Sequence, residues 1–410
     1  MLLGATCTLL AAPPTAEAIS RARLEQGLSK QMHRVGGGSG AWVSDLDAAG
    51  HGPLFSWAAK TPRILASNSK LFTTAAALHR FGVDGRLETR LYPHPRTAVH
   101  PHAIRGDLVI AGDGDPALAS RGFAKRNNLP LTPIGALARG LHRDGIRRVL
   151  GKVEADDTIF DRRRGVPTTG VDASGELSPL SGLSYDSGFD GSHYARRPEL
   201  EAARALRAKL RQHHIRVKGG VGRANLSEGA LEHSPLAAVS SPRMSTLVMA
   251  TNRPSNNFFA EMMLKRLGAS ATTKGTTSRG AHQAEHFAAQ LGASVKLQNG
   301  SGLSRDNQAS PKSVGGLLRA LDRRPEHLAF RRSLPLAGHQ GTLGSRMHGT
   351  AADGDCRAKT GTLIDVSALS GYCHAAGHTV AFSILMNSVN VSVAEDAQDR
   401  MAALIARYGR

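Results

Sequence analysis

Three short constellations in the chain carry the residue types of nucleophilic acyl chemistry. In PRILASNSKLFTTAAALHRFG, Ser67 and Lys70 stand three apart. On a helix such a pair shares a face. A serine in the first turn also sits among free backbone N–H groups at the positive end of the helix dipole. A buried lysine beside a second cation has a lowered pKa and can take the proton of the serine. In RPSNNFFAEMM, Ser255 and Asn257 stand at a helix start. Ser255 is suited to relay a proton between Lys70 and a leaving group, and the Asn257 amide to hold both Lys70 and a substrate carbonyl. In AKTGT, Lys359 and Thr360 suit a carboxylate, by charge and by hydroxyl. Gly361 lets a substrate backbone approach a strand edge. The backbone N–H groups of Thr362 and Ser67 would together complete an oxyanion hole.

Each piece has a plain structural alternative. Serine is a favoured helix cap, and Ser255 after Pro254 is an adequate cap by itself. Lys-Thr-Gly is a short string that chance supplies. The weight lies in the set: a Ser-x-x-Lys that opens a helix, then a Ser-x-Asn at a helical boundary, then a Lys-Thr-Gly on a strand followed by another strand.

The elements that must position these residues are legible in outline. RARLEQGLSKQMH has helical period, GAWVSDL and LFSWAA alternate like paired strands, and LFTTAAALHRFG is a helix ended by Gly82. From Val83 the texture changes. The strand-like pieces RLETRLYP, GDLVIAG and VLGKVEADD alternate with Pro/Gly/Asp loops and the helices PIGALARGLHRDG and PELEAARALRAKLRQHH. Residues 83–235 therefore read as an inserted, β-rich unit of one or two domains. Residues 19–82 and 236–410 would form the domain that carries the three motifs. After Ser240 helices are dense. Three strands (CRAKTGTL, SALSGYCH, TVAFSILM) and a last helix close the chain. The expectation is an α/β (α+β) fold with an antiparallel sheet flanked by helices.

Composition bounds the rest. The 410 residues allow two or three domains. A hydrophobic share of 40% and a mean hydropathy of −0.24 fit a soluble chain with a sizeable core. The net charge of +19 favours anionic surroundings. Nucleic acid is a poor choice, because aromatics are 4% and no basic block exceeds the RRR at 162–164. MLLGATCTLLAAPPTAEA reads as a probable signal peptide over residues 1–18, though no Lys or Arg precedes its apolar run. That run is short of the roughly 20 residues of a membrane span. An exported protein of the periplasm or extracytoplasmic envelope is expected. Cys356 and Cys373 suit an oxidising compartment. With a turn near Ile364 and Asp365 they would face each other across a hairpin, where a disulfide is one reading and free thiols the other.

Taken together, the motifs are those of penicillin-binding proteins and class A β-lactamases. The chain resembles the class C low-molecular-mass penicillin-binding proteins, the D-alanyl-D-alanine carboxypeptidase/endopeptidase family (peptidase family S13). The stretches GDGDPAL, ADDTIFD, LSPLSGLSYD, NGSGLSRDN, LPLAGHQGTLGSRMHGT and AKTGTLIDVSALSGY also match. The resemblance implies a serine β-lactamase/penicillin-binding transpeptidase-like fold with an insert between Ser-x-x-Lys and Ser-x-Asn. It implies Ser67 as nucleophile, Lys70 as base, and Ser255 and Asn257 as catalytic partners. Lys359, Thr360, Gly361 and Thr362 would bind substrate, with Ser67 and Thr362 forming the oxyanion hole. Arg305 and Leu303 would line the pocket for the penultimate side chain of a peptidoglycan stem, and Asp172 would approach its amino end. β-Lactams would be covalent inhibitors, and no metal or cofactor is called for. The chain departs from the pattern in its shorter insert and in Asn256, where Asp is common.

Two rival activities remain on the sequence alone. A β-lactamase-like hydrolase would need an efficient deacylating base, and no match to the class A glutamate motif is present. A non-catalytic peptidoglycan-binding protein would not need every catalytic position filled. HQAEH at His282–His286 spells an inverted zinc-protease signature, but it lies on a polar-faced helix in a chain with 18 histidines.

Overall fold

The two ends of the chain meet in one sheet. In the computed structural model, which describes residues 18–48, 52–166, 176–224 and 234–409, the sheet has five antiparallel strands. Their order is Cys356–Leu363, Val366–Ala375, His378–Asn387, Ser39–Asp45 and Phe55–Trp57. The proposed leader lies almost wholly outside the described residues, as do Cys7 and Asp172.

Successive side chains of a strand point to opposite faces, and here both faces are covered. Ala368 and Tyr372 enter the core shared with the central helices. Leu369 and Cys373 enter a second core beneath Arg21–Val35 and Val391–Ala406. Double burial is why the strand His378–Asn387 reads as a near-continuous apolar run, VAFSILM. The central helices are Ser69–Phe81, Met244–Asn252, Asn257–Leu267 and Thr277–Gln290, with Pro311–Leu321 lying on the sheet.

The tight turn after Leu363 fixes the hairpin register, placing Cys356 opposite Cys373. The two are joined by a disulfide, with Cα atoms 4.0 Å apart. The register thus decides between the two readings of the cysteines.

The inserted region has its own core around Leu137, Val149, Leu206 and Leu210. Its main sheet runs Val221–Arg223, Val153–Asp156, Leu108–Ala111, Glu88–Pro93 and Ala237–Ser240. The first three strands are parallel. Parallel neighbours need crossovers, and the helices Gly135–Arg143 and Pro198–Gln212 lie in the two crossing segments. A smaller sheet places Arg216–Val217 and Ala103–Ile104 on either side of Arg148–Val149. Ala237–Ser240 pairs antiparallel with Glu88–Pro93, so the insert's sheet extends past residue 235. The Ser241 N–H donates to Leu87 O at 2.8 Å, closing the neck of the insert.

Candidate active site

Ser67 lies in a single 3-10 turn, Ala66–Asn68, that runs directly into the helix Ser69–Phe81. In a 3-10 turn side chains three apart eclipse one another, so Lys70 stands beneath Ser67. The turn is tied down on all sides. The Asn68 Nδ2 donates to Lys359 O at 3.1 Å. The Ser69 hydroxyl donates to Ala66 O at 2.9 Å and accepts from Asn307 Nδ2 at 2.9 Å. Ser69 is therefore a fastening residue. Ala66 is held at φ +46°, a backbone conformation that non-glycine residues rarely adopt and that clusters at functional sites. Gly302 presses against it: a Cβ there would lie 1.9 Å from Ala66 O.

Lys70 is fully buried. Its Nζ lies 2.9 Å from Ser67 Oγ, 2.7 Å from Asn257 Oδ1 and 2.5 Å from Ser301 O. Burial lowers its pKa to about 7, against the opposing pull of Glu261 and Glu176. At neutral pH a large fraction of Lys70 is therefore the free amine a general base must be.

Glu261 was not singled out from the sequence. It follows Asn257 by one helical turn and shares its face. Its buried carboxylate accepts the N–H groups of Gly300 at 3.1 Å and Ser301 at 2.7 Å. Burial raises its pKa, while those bonds and Lys70 oppose the rise. A lone acid in the otherwise buried stripe of NFFAEMMLKRL was the available signal.

Ser255 has φ +59° and accepts a hydrogen bond from Lys359 Nζ at 2.9 Å. Lys359 is also fully buried, and its Nζ donates to Thr360 O at 2.9 Å. Burial, with Lys70 nearby, holds its pKa well below the usual lysine value. Asn256 caps the following helix by accepting the Phe259 N–H at 3.0 Å, a task for which Asn and Asp are equally good. Asn257 Nδ2 donates to Glu176 O at 3.0 Å. A cavity of about 280 Å³ opens there between Asn257 and Phe123, Glu176 and Tyr194 of the insert.

The strand Cys356–Leu363 is an edge strand. The Ala358 N–H donates outward to Pro335 O at 3.0 Å. By the alternation of an antiparallel ladder, the backbone groups of Thr360 and Thr362 turn to that same outer edge. A Cβ on Gly361 would lie 3.0 Å from Ser67 N and 2.8 Å from Leu65 O. The strand thus packs directly against the backbone of the nucleophile's turn. The Thr360 hydroxyl lies 2.7 Å from that of Thr342, and Thr362 is exposed.

The structure brings Ser67, Lys70, Ser255, Asn257, Lys359 and Gly361 together. Arg305 and Leu303 lie on the loop that also carries Ser301. Leu303 packs against the helical core. The exposed Arg305 guanidinium grips the Asp365 carboxylate at the hairpin turn, at 2.7 and 3.2 Å. In HQAEH, Glu285 accepts the Leu297 N–H at 2.7 Å, while His282 and His286 are exposed.

The model of the D-Ala-D-Ala carboxypeptidase 3 (S13) family matches residues 22–188 and 186–408. A D-alanyl-D-alanine carboxypeptidase of Actinomadura sp. (strain R39) is 28% identical over 493 aligned residues, covering 98% of this chain and 88% of that protein. Among solved structures, penicillin binding protein 4 of Haemophilus influenzae superposes with a TM-score of 0.74 at 19% identity, covering 91% of this chain and 97% of that one. A predatory peptidoglycan endopeptidase of Bdellovibrio bacteriovorus gives a TM-score of 0.56 at 18% identity, covering 88% and 90%. The structural likenesses establish the fold.

Proposed function

Starting from the premise that the chain belongs to the D-Ala-D-Ala carboxypeptidase 3 (S13) family, we propose that it is a serine-type DD-peptidase. It cleaves the bond between the two terminal D-alanines of peptidoglycan stem peptides through a Ser67 acyl-enzyme. The observation that carries this reading is the Lys70 Nζ, buried and near neutrality, within 2.9 Å of Ser67 Oγ.

The steps follow from the contacts. Neutral Lys70 takes the Ser67 proton as Ser67 Oγ bonds to the carbonyl carbon. The negative charge on the carbonyl oxygen is met by the N–H groups of Ser67 and Thr362. Ser255, held by Lys359, gives its proton to the departing amine as the C–N bond breaks and takes in exchange the proton that Lys70 removed from Ser67. Asn257 positions the peptide, and Lys359, Thr360 and Thr362 receive the terminal carboxylate at the strand edge. Water then attacks the ester, releasing the acid and restoring the Ser67 hydroxyl. A β-lactam acylates the same oxygen but opens a ring, so its leaving group stays tethered.

The protein works outside the cytoplasm, in the periplasm or loosely associated with the envelope. The leader-like residues 1–18 and the Cys356–Cys373 disulfide support that placement. The experiment is covalent labelling of the intact protein by a fluorescent penicillin, alongside Ser67→Ala. Labelling of the parent alone is expected, and equal labelling of both would remove Ser67 as nucleophile. Product analysis on a defined cross-linked muropeptide then separates removal of terminal D-alanine from cleavage of the cross-bridge.

A further inference from the structure

The net charge of +19 has no task in the site described above, but part of it converges on one place in the insert. Arg148 stands in register beside Arg216 on the parallel strand. Arg207 and Arg211 lie one turn apart on the helix Pro198–Gln212. With Lys218 these four line a cleft of about 830 Å³ whose lining contains no carboxylate. The insert's ion pairs engage Arg90, Arg164, Arg204 and Arg223 instead. Among the described residues, none of the five cleft cations meets an acid. Arg207 Nε does donate to Gly219 O at 3.0 Å.

Like charges directly opposite on neighbouring strands destabilise a sheet, so an unpaired Arg148–Arg216 couple is a standing cost of the free protein. A bound anion removes it. Guanidinium groups match the oxygens of phosphate two at a time, and cations on both walls of a cleft suit a chain that runs through it. We infer that this cleft binds a linear polyphosphate-type polyanion, anchoring the protein to a phosphate polymer independently of the chemistry at Ser67.

The test is binding of the intact protein to fluorescein-labelled inorganic polyphosphate, read by anisotropy over a salt series. Two cleft variants are compared, Arg148→Ala with Arg216→Ala, and Arg211→Ala with Lys218→Ala. The control is Arg23→Ala with Arg323→Ala, which removes the same charge from exposed sites elsewhere. Each cleft variant should lose about tenfold or more in affinity, and each lost contact should flatten the slope of log K against log salt by roughly 0.7. The control should stay within about twofold of the parent. Penicillin labelling should be unchanged in all three, and the thermal midpoint of the Arg148/Arg216 variant should equal or exceed that of the parent. Equal losses in cleft and control variants would reduce the effect to net charge and overturn the assignment. So would absence of polyphosphate binding at moderate salt, or binding to phosphatidylglycerol vesicles in its place.

Discussion

Glu261 holds Ser301 by its amide, carboxylate oxygen to N–H at 2.7 Å, while the carbonyl of Ser301 accepts from Lys70 Nζ at 2.5 Å. One acidic side chain therefore orients the loop that orients the base, and its field also acts on the base. Glu261 touches neither Ser67 nor, on the proposed pose, substrate; it is a positioning residue.

Glu261→Gln should slow acylation about tenfold, the value of one charge-assisted hydrogen bond of roughly 1.5 kcal/mol. Glu261 raises the Lys70 pKa. Removing its charge should therefore also move the acidic limb of the pH–rate profile to lower pH. A merely structural role would lower the thermal midpoint and leave that limb in place.

The acylation rate itself should rise with pH through about 7, where Lys70 loses its proton. Only the free amine accepts from Ser67, so the rate should fall about tenfold per pH unit below that point. Second-order rate constants for penicillin acylation between pH 5 and 9 provide the measurement. A flat profile would exclude Lys70 as the titrating base.

Gly361→Ala should cost about 10²–10³ in turnover, the usual consequence of spoiling one oxyanion donor. The added Cβ would lie 2.8 Å from Leu65 O and 3.0 Å from Ser67 N, so backbone must give way. Steady-state kinetics should show the loss in kcat, and the melting temperature should fall modestly as the backbone shifts.

Asp365→Asn should release Arg305 from its carboxylate partner. If Arg305 reads a carboxylate on the stem's penultimate side chain, KM for such a stem should fall severalfold. Stems lacking that carboxylate should show no change. An equal response to both kinds of stem would remove Arg305 from the pocket.

Replacing both Cys356 and Cys373 by Ala should lower unfolding stability by about 2–4 kcal/mol in urea titrations. Penicillin labelling at 25 °C should survive, because strand pairing still holds Lys359 in register with Ser370.

The sequence by itself determined the parts. Three motifs in their proper local settings, a helix start, a helical boundary and a strand before a tight turn, are properties of nearby residues. So is the facing of Cys356 and Cys373, because hairpin register follows from the turn. Local chemistry sets these, and local chemistry is legible.

Only the tertiary structure decided how the parts meet. Lys70 and Asn257 come into contact across 187 residues, and nothing between them measures that approach. The lone acid in its buried helix marks Glu261 as unusual, but its partners are backbone amides of a distant loop, and only the fold brings them to it. Asp365's hold on Arg305 and the juxtaposition of Arg148 with Arg216 likewise arise from pairing between separated segments. The pKa of Lys70 is the clearest case: its identity is written in the chain, but its reactivity is a product of burial, and burial exists only in the fold.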